Sequence, residues 1–158
     1  MRKIIVLYLI IICSYSCSTE PNIIYYRYND QIVTRFNDYP KDYFLLGKHT
    51  SFNDTLKNTF IKTSFRGFDG FMSGYMVFKA NKTVKIIRIA DSFEKFGNND
   101  SIDLIDFSTN SNFMKWKEKA DNDFSNIVEL SDGINTEKRV NKEQGSKVNV
   151  DYGNIKAE

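Results

Sequence analysis

Between Ile23 and Phe107 the chain is cut into short runs of β-branched and aromatic residues, with turn residues recurring about every ten positions. A segment divided this way has no room for long helices and must pair strands. Ile23–Tyr28 and Ile32–Phe36 flank Asn29-Asp30-Gln31, the composition of a short hairpin turn. Thr59–Phe65 and Phe71–Phe78 flank Arg66-Gly67-Phe68-Asp69-Gly70 and are read as a second hairpin. Thr83–Ala90 follows a tight Ala80-Asn81-Lys82 turn, and Ile102–Phe107 alternates without leaving a polar face, as expected of a strand buried on both sides. The expected architecture is mainly β, an antiparallel sandwich or small barrel, with one C-terminal amphipathic helix. That helix begins at Ser111, an acceptable N-cap, and carries Phe113, Trp116, Ala120 and Phe124 on a single stripe. Glu94, three residues after Asp91, predicts a single helical turn over Asp91–Phe96.

The 13 Phe, 9 Tyr and 1 Trp among 158 residues supply a core for one domain, which excludes wholesale disorder. Six of these aromatics, Phe60, Phe65, Phe68, Phe71, Tyr75 and Phe78, fall close together around Gly67, Gly70 and Gly74. Such a cluster serves either as core, with glycines relieving crowding at bends, or as a ligand or partner surface. For the second use the residues are Arg66, Phe68, Asp69, Phe71 and Tyr75, facing an unidentified protein or a small apolar ligand. From Ile134 to Glu158 the chain turns polar with mixed charge, and the expectation is a mobile tail. Within it Val148-Asn149-Val150-Asp151-Tyr152 alternates, a pattern able to add one edge strand.

The first 17 residues follow a different logic. Arg2 and Lys3 precede nine apolar or aromatic residues, Ile4–Ile12. Nine helical residues rise only about 14 Å, half of a hydrocarbon core, so the run has the proportions of a signal peptide and not of a membrane span. It ends Ser14-Tyr15-Ser16-Cys17, with small residues at the third and first positions before a cut. A cysteine directly after the cut resembles the lipobox of bacterial lipoproteins. The resemblance implies that the Cys17 thiol is acylated with diacylglycerol and becomes the new N-terminus. The same Ser-x-Ser also fits the ordinary peptidase, which leaves Cys17 as a free thiol. The organisation expected is signal peptide 1–16, lipidated tether 17–22, β-rich domain 23–133 and polar tail 134–158.

Removing residues 1–16 takes Arg2 and Lys3 from the 22 basic side chains and none from the 20 acidic ones, leaving formal charge zero. A balanced surface has no electrostatic footprint for nucleic acid. Only Cys17 remains of the two cysteines, so no internal disulfide forms. A Cys/His zinc site is excluded by ligand count. Asp121–Asp132 resembles an EF-hand calcium loop, but Asn126 stands at the glycine position, Asp132 replaces the longer bidentate glutamate, and Gly133 stops the exit helix. A solvated loop entering a strand at Ile127–Leu130 is expected there, with no metal. His49, the single histidine, has no acid at a telling spacing and is read as a surface or capping residue. Asp100, Asp103 and Asp106 scatter to alternate faces of a strand. The tripeptides Asp54-Thr55-Leu56 and Asp100-Ser101-Ile102 resemble O-glycosylation sites of some bacterial envelope proteins.

These observations lead to a non-enzymatic binding or interaction module of the bacterial cell envelope, held to the membrane through a lipid at Cys17, on the periplasmic or surface side of the outer membrane. No cofactor is expected. Two other classes stay open: an envelope inhibitor or immunity-type protein that blocks a partner toxin or hydrolase, and a carboxylate-dependent enzyme.

Overall fold

The computed structural model describes residues 22–38, 41–64, 74–88, 92–106, 118, 124–130 and 134–153. In chain order the strands are β1 (Asn22–Tyr28), β2 (Gln31–Asp38), β3 (Lys41–Leu46), β4 (Phe60–Ser64), β5 (Gly74–Phe78), β6 (Val84–Arg88), β7 (Ser92–Phe96), β8 (Ile102–Asp106), β9 (Ile127–Leu130) and β10 (Asn149–Gly153). A 3-10 turn at Phe52–Leu56 follows β3, and helix α1 (Ile134–Glu143) precedes β10. Six strands form an antiparallel sheet in the order β10-β1-β2-β3-β4-β7, and four form a second sheet, β8-β6-β5-β9. The protein is mainly β and sandwich-like, as expected, with one parallel pair, β6 with β8. A parallel pair needs a crossover, and here β7 supplies it by leaving for the other sheet.

Alternation along each strand sends every second side chain inward. Ile24, Tyr26 and Val33 of the large sheet meet Met76, Phe78 and Ile86 of the small one in the central core. The outer faces are apolar too. Ile23, Tyr25, Phe36 and Leu45 lie on the outside of the large sheet, where Phe52 meets Phe36 and Tyr43 edge-on, with ring centroids 5.7 and 4.8 Å apart. Tyr75, Val77, Ile87 and Ile127 form a third cluster with Ile105 and Phe124 on the outside of the small sheet. Burial on both faces explains why β1 and β5 read as unbroken apolar runs instead of alternating ones.

Inside the central core lies a complete ion pair. Arg35 is fully buried, and its Nε and Nη2 donate to the two oxygens of Asp42 at 2.8 and 2.9 Å. Nη1 donates to the Tyr26 hydroxyl at 3.3 Å, and Asn37 Nδ2 donates to Asp42 Oδ1 at 2.7 Å. The guanidinium carbon sits 5.8 Å from the Phe44 ring centroid. Pairing of β2 with β3 places Arg35 opposite Phe44 and Asn37 opposite Asp42, so the two charges meet on a diagonal.

Several expectations are corrected. β4 and β5 do not pair: β4 lies between β3 and β7, and β5 between β6 and β9. Both have apolar side chains suited to a hairpin, but the two sheets need the chain to change layer between them. Residues 92–96 are strand β7 and not a helical turn: they pair with all five residues of β4, a register that brings Lys62 Nζ 3.0 Å from Glu94. β3 was not foreseen. Residues 134–153 are not a mobile tail but belong to the domain. β10 pairs with β1 over five residues, and Val148 and Val150 enter the central core. Asn141, 2% exposed, accepts from the Glu129 backbone at 2.6 Å and donates back to its carbonyl at 2.9 Å. The helix expected over Ser111–Asp123 lies, Glu118 apart, outside the described residues.

Two outcomes follow from this packing. Asp42→Ala leaves a buried guanidinium unpaired and should cost about 3–5 kcal/mol in urea unfolding, whereas a loss within about 0.5 kcal/mol would place the pair in solvent. A chain stopped at Gly145 loses two core valines, each contributing about 1.5–3 kcal/mol, together with the partner of β1. Its melting temperature should collapse, while an unchanged melt would restore the mobile-tail reading.

Candidate functional site

The four sheet edges differ. On β9 the outward backbone is occupied by the Asn141 amide at Glu129 and by the Ser146 hydroxyl, which donates to the Ile127 carbonyl at 2.6 Å. On β8 the Leu104 amide donates to the neighbouring Asp103 Oδ1 at 2.9 Å. Both devices blunt an edge that would otherwise recruit another strand. β10 borders a cavity of about 260 Å³ shared with Asn141, Lys142 and Ser146. β7 is different in kind: all five of its residues are exposed, and among the described residues only β4 pairs with it.

Pairing with β4 sets Phe96 opposite Phe60, Glu94 opposite Lys62, and Phe93 opposite Thr63. The Phe60 and Phe96 rings stack with centroids 4.5 Å apart and planes 15° from parallel. Phe93 points to the other face. Phe93 and Phe96 are 47% and 42% exposed, and with Tyr152 they are the large apolar side chains left in solvent among the described residues. Gly97 ends the strand at φ +86°, where a Cβ would lie 2.3 Å from Thr59 Oγ1, so the turn admits no side chain. Lys95 Nζ reaches Asp100 Oδ1 at 3.7 Å beyond that turn. The result is a straight strip carrying aromatic surface, paired charge and an open strand edge, the chemistry that takes an extended polypeptide.

A second polar corner lies on the outside of the large sheet. His49 Nε2 lies 2.8 Å from the Leu46 carbonyl, and Nδ1 lies 3.3 Å from Asp54 Oδ2. An acid five residues on therefore does reach the histidine, contrary to the sequence reading, because the 3-10 turn folds back over the sheet. The Tyr25 hydroxyl donates to the His49 carbonyl at 2.8 Å, and the His49 amide donates to Thr34 Oγ1 at 3.0 Å. Every contact ties the turn to the sheet, so the corner is structural. Thr55 belongs to the same turn: it is 4% exposed and its hydroxyl donates to the Phe52 carbonyl at 2.8 Å, so it offers no accessible glycosylation oxygen.

Of the residues singled out from sequence, Tyr75 is 4% exposed and packs against Phe124 in the outer cluster of the small sheet, so it is core and not surface. Arg66, Phe68, Asp69, Phe71 and Cys17 lie outside the described residues. Asp100 and Asp103 pair with different lysines, Lys95 at 3.7 Å and Lys85 at 3.9 Å, and do not converge. Among the described residues no three His, Cys, Asp or Glu side chains gather as metal ligands. Residues 127–130 of the calcium-like stretch form β9, and the Asn126 amide is committed to the Phe78 carbonyl. Phe93 and Phe96 escaped the sequence reading because a capping-box spacing assigned them to a helical turn. No family model, curated protein or solved structure matches the chain.

The buried corner has a measurable titration. Burial raises the Tyr25 phenol, and burial again is the largest cause raising that of Tyr43. A phenol raised in the folded state contributes stability that is fully present below the unfolded value of about 10 and is lost as pH climbs through the folded value. Phenolate absorbance of the native protein should therefore lag that of the urea-unfolded chain, with Tyr25→Phe removing part of the lag. Coincident curves would contradict the burial.

Proposed function

We propose that the protein is a lipid-anchored lipoprotein of the bacterial cell envelope whose sandwich is a non-enzymatic binding module, taking an extended segment of a partner protein along β7. The observation that carries the reading is the exposed edge strand with Phe93 and Phe96 on its two faces. Exposed phenylalanines on an edge with no second strand among the described residues invite aggregation, and they make sense where a partner strand covers them. The partner adds main-chain hydrogen bonds along β7, and the two rings contribute contact on either side of it. The zero formal charge of the chain from Cys17 onward supports a protein partner over nucleic acid. The anchor rests on Arg2, Lys3, the Ile4–Ile12 run and Ser16-Cys17. Two acyl chains hold a protein to a bilayer far better than one.

A photoreactive benzoylphenylalanine placed at Phe93 or Phe96 in cells tests the reading. Both positions should give one discrete protein adduct that the same probe at exposed Lys57 does not give. No adduct at either position, or the same adducts at all three, would contradict it.

A further inference from the structure

The length of chain between the anchor and the sheet fixes which end of the sandwich faces the membrane. Asn22 opens β1 only five residues after Cys17, so the tether spans at most about 17 Å when fully extended. The hydrogen-bond registers place Asn37, Lys41, Ser64, Ser92 and Gly153 at the same end as Asn22. From there β1 runs about 20 Å to Tyr28, and the Asn29–Asp30 turn lies further still. If that turn rested on the headgroups, Asn22 would stand more than about 20 Å above them, beyond the reach of the tether.

The far end is stitched across the two sheets. Lys82 Nζ, from the β5–β6 turn, lies 2.6 Å from Asp30 Oδ2, and Gln31 Nε2 donates to the Lys79 carbonyl at 2.9 Å. Asn29 and Lys82 both hold positive φ, 52° and 62°, to bring these turns together. Their two backbones, from different sheets, thus form one platform. The zero net charge of the chain from Cys17 onward gives no overall electrostatic pull toward an anionic lipid surface. The bilayer excludes the domain from one side, and the tether pulls at one end only.

We infer that the anchored domain stands with the Asn22 end toward the lipid headgroups and presents the turns at Asn29–Asp30 and Asn81–Lys82 to the aqueous side. The inference rests on the anchor at Cys17 proposed above. It also sets β7 across the height of the domain, with Ser92 near the bilayer and Phe96 away from it.

With residues 1–16, and Cys13 among them, removed and Cys17 acylated, no free thiol remains, so a single added cysteine takes a fluorophore cleanly. The test uses the full acylated protein in phosphatidylcholine vesicles carrying a headgroup nitroxide quencher, with the label at Lys41→Cys or at Asn81→Cys. The Lys41 label should be quenched several-fold more strongly than the Asn81 label. Twenty Gly-Ser residues inserted after Ser18 should erase most of that contrast, because a flexible linker of this length lets either end approach. Equal quenching at both sites with the native tether, or none at either, would overturn the orientation. Mass spectrometry of the N-terminus separates the two levels: an unacylated Cys17 overturns the anchor and the orientation with it, whereas an acylated chain whose Asn81 label is quenched as strongly as its Lys41 label overturns the orientation alone.

Discussion

The Arg35–Asp42 pair constrains the rest of the sandwich, because it leaves β2 and β3 a single register. A one-residue slip turns every side chain to the opposite face. Here that slip would carry a guanidinium out of its carboxylate and leave one or both charges in an apolar layer. Replacing a buried pair with well-packed apolar residues is often neutral for stability, while breaking one is expensive. The pair therefore acts less as a source of net stability than as a penalty on every alternative alignment. Its partners extend the constraint: Tyr26 brings in β1, Asn37 the end of β2, and Phe44 lies against the guanidinium. With three adjacent strands aligned, β4 and β10 have fixed neighbours on which to pair.

Burial on both faces of the central strands decides where interactions can occur. A sheet with one wet face offers that face to partners. This protein covers the outside of the large sheet with Phe52 and its turn, and the outside of the small sheet carries Tyr75, Val77, Ile87 and Ile127 as buried residues. Edges and ends remain. Two of the edges carry side chains that occupy their backbone groups, Asn141 on β9 and Asp103 on β8. β7 differs in exposing two aromatic side chains, Phe93 and Phe96, beside the charges of Glu94 and Lys95.

Much of the fold was legible in the sequence, and what was not has specific physical causes. The hairpin over Asn29-Asp30-Gln31, the strands at Thr83–Ala90 and Ile102–Phe107, and the sandwich class follow from local composition and spacing. Arg35 was invisible because an arginine in a strand reads as solvent-facing until a partner acid is known, and Asp42 comes from the next strand, itself hidden among polar residues. The β4–β5 hairpin failed because short apolar runs say nothing about which sheet they join. The stretch after Gly133 looked like a tail because a polar helix and two valines have little composition to offer; their burial comes from β1 and β9, distant in sequence. For the same reason Phe93 and Phe96 were assigned to a helical turn: the capping-box spacing is local, and the competing bond from Lys62 to Glu94 is not.

The segment after Gly133 has a further consequence for the order in which the sandwich closes. β10 joins the large sheet through β1, the first strand of the domain, while Asn141 and Ser146 hold the backbone of β9 in the small sheet. One stretch of about twenty residues thus bridges both sheets at the edge opposite β7, and its contacts with β1 span more than a hundred residues of sequence. Such pairing comes late, since the entropy of closing so large a loop is spent before the contacts form. Until it forms, Val148 and Val150 are missing from the core and the outward edges of β1 and β9 are open. On this side the β9 edge carries the Asn141 and Ser146 contacts, whereas among the described residues β7 is paired by β4 alone. The exposed aromatic side chains of β7, which only β4 pairs among the described residues, are the feature on which the proposed strand-accepting surface rests.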